Sequence, residues 1–191
     1  SPPGRDGLPA QVVLAAAEIA DADRVFALGG AGAIAAMAYG TESVPAVDRV
    51  VGPGNAYVAE AKVQVSSRVA IDSPAGPSEL LVLADDSAGA SVIARELLAQ
   101  AEHDPAAAVV LVTTSSALAA AVEAELARWV DEAPRAAIIR ASLAARGAIL
   151  VAATLDEAIA FSNAWAPEHL SLTVRADAEA ATLDRLRNAG T

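Results

Sequence analysis

The chain contains no cysteine. Disulfides and thiolate metal sites are thereby excluded, and any metal must be held by histidine, carboxylate, amide or water. Aromatic residues make up only 3% of the 191 residues, although 54% are hydrophobic, chiefly Ala, Val and Leu. A core of that kind packs by close approach of helices and sheet rather than through large rings, which suits a layered α/β architecture. Basic charge is short as well: 13 Lys and Arg stand against 24 Asp and Glu, a formal net charge of −11. Affinity for a phosphate backbone depends on clustered Lys and Arg, and no stretch concentrates them, so no nucleic-acid partner is expected. Also missing are any run of about 18 apolar residues free of charges and turn signals, and any basic start leading into an apolar segment. No membrane partner is expected, and the cytoplasm is the expected compartment. The chain opens at Ser1 and its one methionine is the internal Met37, so the natural start is expected upstream.

What is present is an alternation. Short β-branched or apolar runs exchange with longer Ala-rich periodic segments, the pattern of βα units. The expected fold class is α/β, with mostly parallel sheets, helices on the faces and incomplete Rossmann-like units. Helices are expected over residues 10–20, 31–39, 55–67, 88–101 and 116–132, and strands over residues 24–28, 49–51, 80–84, 109–113, 148–152 and 170–174. Helices should follow the last two strands, and residues 134–146 suit a further short helix. Gly40 should close the helix over residues 31–39, because glycine accepts the left-handed conformation of a helix end. The Pro-Gly loop at residues 74–77 suggests a division into residues 1–77 and residues 78–191.

Several constellations can carry chemistry. Gly30, Gly32 and Ala35 formally satisfy a dinucleotide fingerprint. No strand ending in an acidic residue follows to hold a ribose, however, and a plain turn with close helix packing fits equally. In the Gly-Pro-Gly-Asn turn of residues 52–55, free backbone amides and a helix N-terminus suit an anionic ligand, while Asn55 can simply cap the helix. Gln100 and His103 stand three apart near a helix end, on nearly one face. They can converge on an ion, or His103 can be a surface residue favoured by the helix dipole. In WAPEHL, Pro167 discourages a helical Ala166, placing Glu168 and His169 in a loop or at the head of a strand. Adjacent carboxylate and imidazole can activate water and take a proton near neutral pH, or can be an ordinary solvated strand end.

Taken together, GGAGAIAAMAYGTESVPAVDRVVGPGNAYVAEAK, AIDSPAGPSELLVLAD, ELLAQAEHDP and FSNAWAPEHL resemble, in order and spacing, motifs of the histidinol dehydrogenase family. The resemblance runs from about Ala10 onward. It implies a zinc-dependent homodimer that oxidises L-histidinol to L-histidine through histidinal with two NAD molecules. It further implies that Glu168 activates water and His169 is the general base, and that Gln100 and His103 are zinc ligands that also touch substrate. Ser78 becomes a substrate contact, with His169, and Asn55 a cofactor contact. At Gly32 the family usually carries a cofactor-contacting glutamine, which puts NAD affinity in question. The remaining zinc ligands, an aspartate and a histidine, belong to a later stretch in family members. An internal portion of such an enzyme, inactive alone and prone to self-association, is therefore expected. A related dehydrogenase for another alcohol and a non-catalytic scaffold or binding module are the alternatives.

Overall fold

A computed structural model describes residues 1–74 and 76–191. The chain divides into two compact units, Ser1–Gly76 and Pro77–Thr191. Ala75, within the loop at which the sequence suggests a division, lies outside the described residues.

In the first unit the order is α1 (Gln11–Ile19), α2 (Gly30–Tyr39), β1 (Arg49–Val50), α3 (Ala56–Val65) and β2 (Ala70–Ile71). The two short strands pair in parallel, Arg49 opposite Ala70 and Val50 opposite Ile71. Ile34 and Ala38 of α2 pack with Val50, Val65 and Val69 into one small core, and α2 ends at Gly40, whose φ of +78° needs no side chain to be accommodated. Helix α1 buries no residue. The strand expected at residues 24–28 is not formed, and Val25 and Leu28 are exposed. Strand propensity describes a fit to a pleated, half-buried surface, and no neighbouring ladder offers one here. The short strand β2 was not expected, because two residues carry too little pattern to read.

The second unit runs β3 (Glu79–Ala84), α4 (Ala90–Ala101), β4 (Ala108–Thr113), α5 (Ser116–Val130), α6 (Ala136–Arg146), β5 (Gly147–Val151), α7 (Leu155–Trp165), β6 (His169–Thr173) and α8 (Ala176–Leu183). Its strands form one parallel sheet in the order β5-β4-β3-β6. The central runs ELLVLA and AVVLVT are almost continuously apolar because both faces are covered. Val82, Val109 and Leu111 face Ile93, Leu97, Leu118, Val122 and Ile139 of α4, α5 and α6. Leu81, Leu83, Val110 and Val112 face Ala158 and Ile159 of α7. The architecture is α/β with parallel sheets flanked by helices, as the alternation of patterns implies.

Candidate functional site

In a parallel sheet each crossover helix runs back against its strands, so the end of α4 returns to the edge at which the strands begin. That edge gathers most of the candidate residues. Gln100 lies in the last turn of α4, and His103 in the turn just beyond it, its N–H donating to the Gln100 carbonyl at 3.2 Å. The helix stops short of His103 because Pro105 lies ahead and Asp104 caps the turn, accepting from Ala106 N–H at 2.8 Å. The Ser78 carbonyl accepts from Ala108 N–H at the start of β4, 3.2 Å away. On the other side, Leu80 of β3 stands opposite His169, the first residue of β6. Ligands of open α/β sheets usually sit outside the carboxyl ends of the strands, at the point where strand order reverses. Between β3 and β6 that opposite end is tied shut: Asp85 accepts from Arg175 N–H at 2.9 Å, and the Arg175 guanidinium reaches Asp86 at 2.7 Å.

Ala166 ends α7 in the left-handed region, φ 54° and ψ 62°, and Pro167 then turns the chain into β6. Glu168 and His169 emerge side by side and half exposed, Glu168 Oε1 lying 3.9 Å from His169 Nε2. This is too long for a hydrogen bond, but one oxygen placed about 2.8 Å from each atom would bridge it. The second carboxylate oxygen accepts from Glu79 N–H at 3.2 Å, anchoring Glu168 to the head of β3. His169 Nδ1 lies 2.8 Å from Thr191 Oγ1. The arrangement suits a carboxylate and an imidazole that can each take a proton from an O–H group held between them.

Gln100 and His103 offer an amide oxygen and an imidazole nitrogen, donor types that suit zinc. The Gln100 Nε2 is buried and makes no hydrogen bond. A buried amide N–H without an acceptor is unfavourable in a finished interior; being a donor, it calls for a hydrogen-bond acceptor, whereas a metal would be held by the Gln100 Oε1. The number of donors falls short: among the described residues no group of three His, Asp or Glu stands close enough to hold a metal ion.

In the first unit, Asn55 caps α3, its Oδ1 accepting from Tyr57 and Val58 N–H, both at 3.1 Å. Capping uses the oxygen and leaves the amide NH2 for a ligand. The turn before it is held by a clamp that sequence reasoning missed. Lys62 Nζ is buried, donates to the Gly52 carbonyl at 3.0 Å and pairs with Asp72 Oδ1. Asp72 Oδ2 in turn accepts from Gly52 N–H at 2.8 Å. The Lys62 ammonium, with the N–H groups of Gly52 and Ser73, holds the Asp72 carboxyl well below the usual carboxylate range. Lys62 could have been flagged, since it shares the buried stripe of Ala59 and Val65 at helical spacing. Glu96 was missed too; it accepts from Ser171 Oγ at 3.1 Å and precedes Gln100 by one helical turn. A cavity of about 500 Å³ beside β5, lined by Leu97, Leu126, Leu143 and Ile149, involves none of the candidate residues.

Comparison with known proteins agrees with the motifs. The family model described as histidinol dehydrogenase matches residues 1–191. The chain is 52% identical over 190 residues to the histidinol dehydrogenase of Methanosarcina mazei, covering 100% of this chain and 43% of that protein. For the Bacillus cereus protein the identity is 47%, covering 100% of this chain and 44% of that protein. A crystal structure of histidinol dehydrogenase from Elizabethkingia anophelis superposes with a TM-score of 0.88 at 36% identity, covering 98% of this chain and 43% of that one. The chain thus spans less than half the length of these relatives. A match over every residue, with the motifs in order and the same fold, means that the chain belongs to the histidinol dehydrogenase family.

Proposed function

We propose that these residues form the part of a zinc- and NAD-dependent histidinol dehydrogenase that carries its acid–base pair and two of its metal ligands. The reading rests chiefly on one observation in a chain of this family: a carboxylate and an imidazole held 3.9 Å apart at the head of β6. The overall reaction, a step of histidine biosynthesis, is an alcohol plus water plus two NAD⁺ going to a carboxylate, two NADH and three protons. In its first half His169 takes the hydroxyl proton of L-histidinol as the carbon-bound hydrogen leaves as hydride. In its second half Glu168 draws a proton from water as that water adds to the aldehyde, and loss of a second hydride gives the acid.

Gln100 and His103, with donors beyond them, would hold a zinc ion whose role is to fix the substrate's imidazole and amine. NAD would supply the hydride acceptor, with the Asn55 amide donating to it. Ser78, at the entrance of β3, would contact substrate. The two units would take distinct parts: Ser1–Gly76 the cofactor side, Pro77–Thr191 the acid–base pair and metal ligands. The family setting favours a homodimer acting in the cytoplasm on a small molecule; no helix among the described residues is long and apolar enough to cross a membrane.

The test is NADH formation from L-histidinol with added Zn²⁺, comparing the 191 residues with the same residues inside a chain of full family length. Turnover only in the longer chain, abolished by His169→Gln, is the expected result. Turnover or tight zinc binding by the 191 residues alone would sink the half-site reading. A folded longer chain that oxidises another alcohol but not histidinol would favour a related dehydrogenase.

A further inference from the structure

We infer that Thr191 is a positioning residue for His169, holding the imidazole in the tautomer protonated at Nδ1 so that Nε2 is a bare acceptor; this rests on the reading of His169 as the base. The Thr191 hydroxyl lies 2.8 Å from His169 Nδ1 and 3.4 Å from the Glu168 carbonyl. The hydroxyl can donate to Nδ1 or accept from it, and the 3.4 Å approach to the Glu168 carbonyl lies beyond ordinary O–H···O range; with Nε2 read as the base, Nδ1 carries the ring proton and donates to the hydroxyl oxygen at 2.8 Å. In a neutral imidazole the nitrogen that donates fixes the other as the lone pair. Nε2 is the nitrogen turned toward Glu168, where a substrate hydroxyl would have to give up its proton.

The hydroxyl is presented by backbone rather than by a wandering side chain. Gly190 N–H donates to the Pro167 carbonyl at 2.9 Å, Thr191 N–H to the Glu168 carbonyl at 3.0 Å, and Leu170 N–H to the Thr191 carbonyl at 2.8 Å. This short pairing lays residues 190–191 directly against the strand that carries the ring. Its closeness depends on Gly190, where an added Cβ would come within 2.6 Å of the Glu168 carbonyl oxygen. Backbone cannot yield as a flexible side chain would, so any larger residue moves Thr191 away from His169.

The test uses a chain of full family length, in which the ring ¹⁵N resonances of His169 are identified as those lost in His169→Gln. At a pH of about 8.5, well above the ordinary imidazole pKa, His169 should show a pyrrole-like Nδ1 and a pyridine-like Nε2. Thr191→Val should move Nδ1 toward the pyridine-like range, Thr191→Ser should restore the wild-type pattern, and Gly190→Ala should reproduce the valine effect with the hydroxyl still present. A pyrrole-like Nε2 in the wild type, or a Thr191→Val spectrum unchanged from it, would overturn the proposal. No substrate enters this measurement, so it stands or falls separately from the turnover of His169→Gln in the longer chain, which tests the base itself.

Discussion

Gly32 sits exposed in the first turn of α2, where an added Cβ meets nothing within 4 Å. Its glycine is therefore not demanded by packing, and its φ lies outside the left-handed range in which glycine is required. Replacing it by the glutamine usual in the family should stabilise the helix by roughly 0.5–1 kcal/mol, since glycine is a poor helix residue. It should also tighten NAD binding in a chain of full family length, measured as a lower KM for NAD; an unchanged KM would remove Gly32 from the cofactor site. At Asp72 the expected effect is on pH. Its carboxyl titrates below the usual carboxylate range because Lys62 and two N–H groups bind the ionised form. A depressed folded-state pKa contributes stability that is fully present above the unfolded value, about 3.9, and is lost as pH falls below it. Urea midpoints of wild type and Asp72→Asn should differ most near neutral pH and converge on acidification below about 4. A difference constant with pH would show that the clamp contributes through shape rather than charge.

The turn from α7 into β6 aims both acid–base residues, and it contains a strained residue. Ala166 adopts φ 54° and ψ 62°, a conformation that costs a non-glycine residue about 1 kcal/mol or more. Ala166→Gly should relieve it at the price of a more flexible unfolded chain, for a net gain of up to about 1 kcal/mol and a Tm higher by about 2–4 °C. A lower Tm would mean that the Ala166 methyl makes contacts outweighing its strain. This turn was legible in the sequence because Pro167 acts locally, forbidding helix at the residue before it. The runs that became β3 and β4 were equally plain, being apolar on both faces. The strand expected at residues 24–28 failed because its apolar residues are local while a ladder partner is not, and β2 was too short to announce itself. At the site, the resemblance named residues whose chemistry is carried by type and spacing. It did not name Lys62, Glu96 or Thr191, whose roles follow from partners 10, 75 and 22 positions away in sequence.

Across the whole chain, apolar burial is distributed unevenly. The second unit has two clusters on opposite faces of a four-stranded sheet, whereas the first rests on one small cluster around two-residue strands. In the first unit α1 buries nothing, and Val12, Ile19, Val51 and Tyr57 stand exposed. Burial of apolar surface is the main term opposing chain entropy, so local stability should follow these cores. On heating, the first unit should lose hydrogen-exchange protection well before the second, and calorimetry should resolve two transitions rather than one. A chain of residues 77–191 alone should keep the upper transition at nearly the same temperature, because both of its clusters are internal to it. A single cooperative transition for the 191 residues, or collapse of residues 77–191 when expressed alone, would mean that the second unit takes its stability from the first. In either case the temperature at which exchange reaches His169 and Glu168 reports the stability of the sheet edge that aligns them, since His169 is itself the first residue of β6.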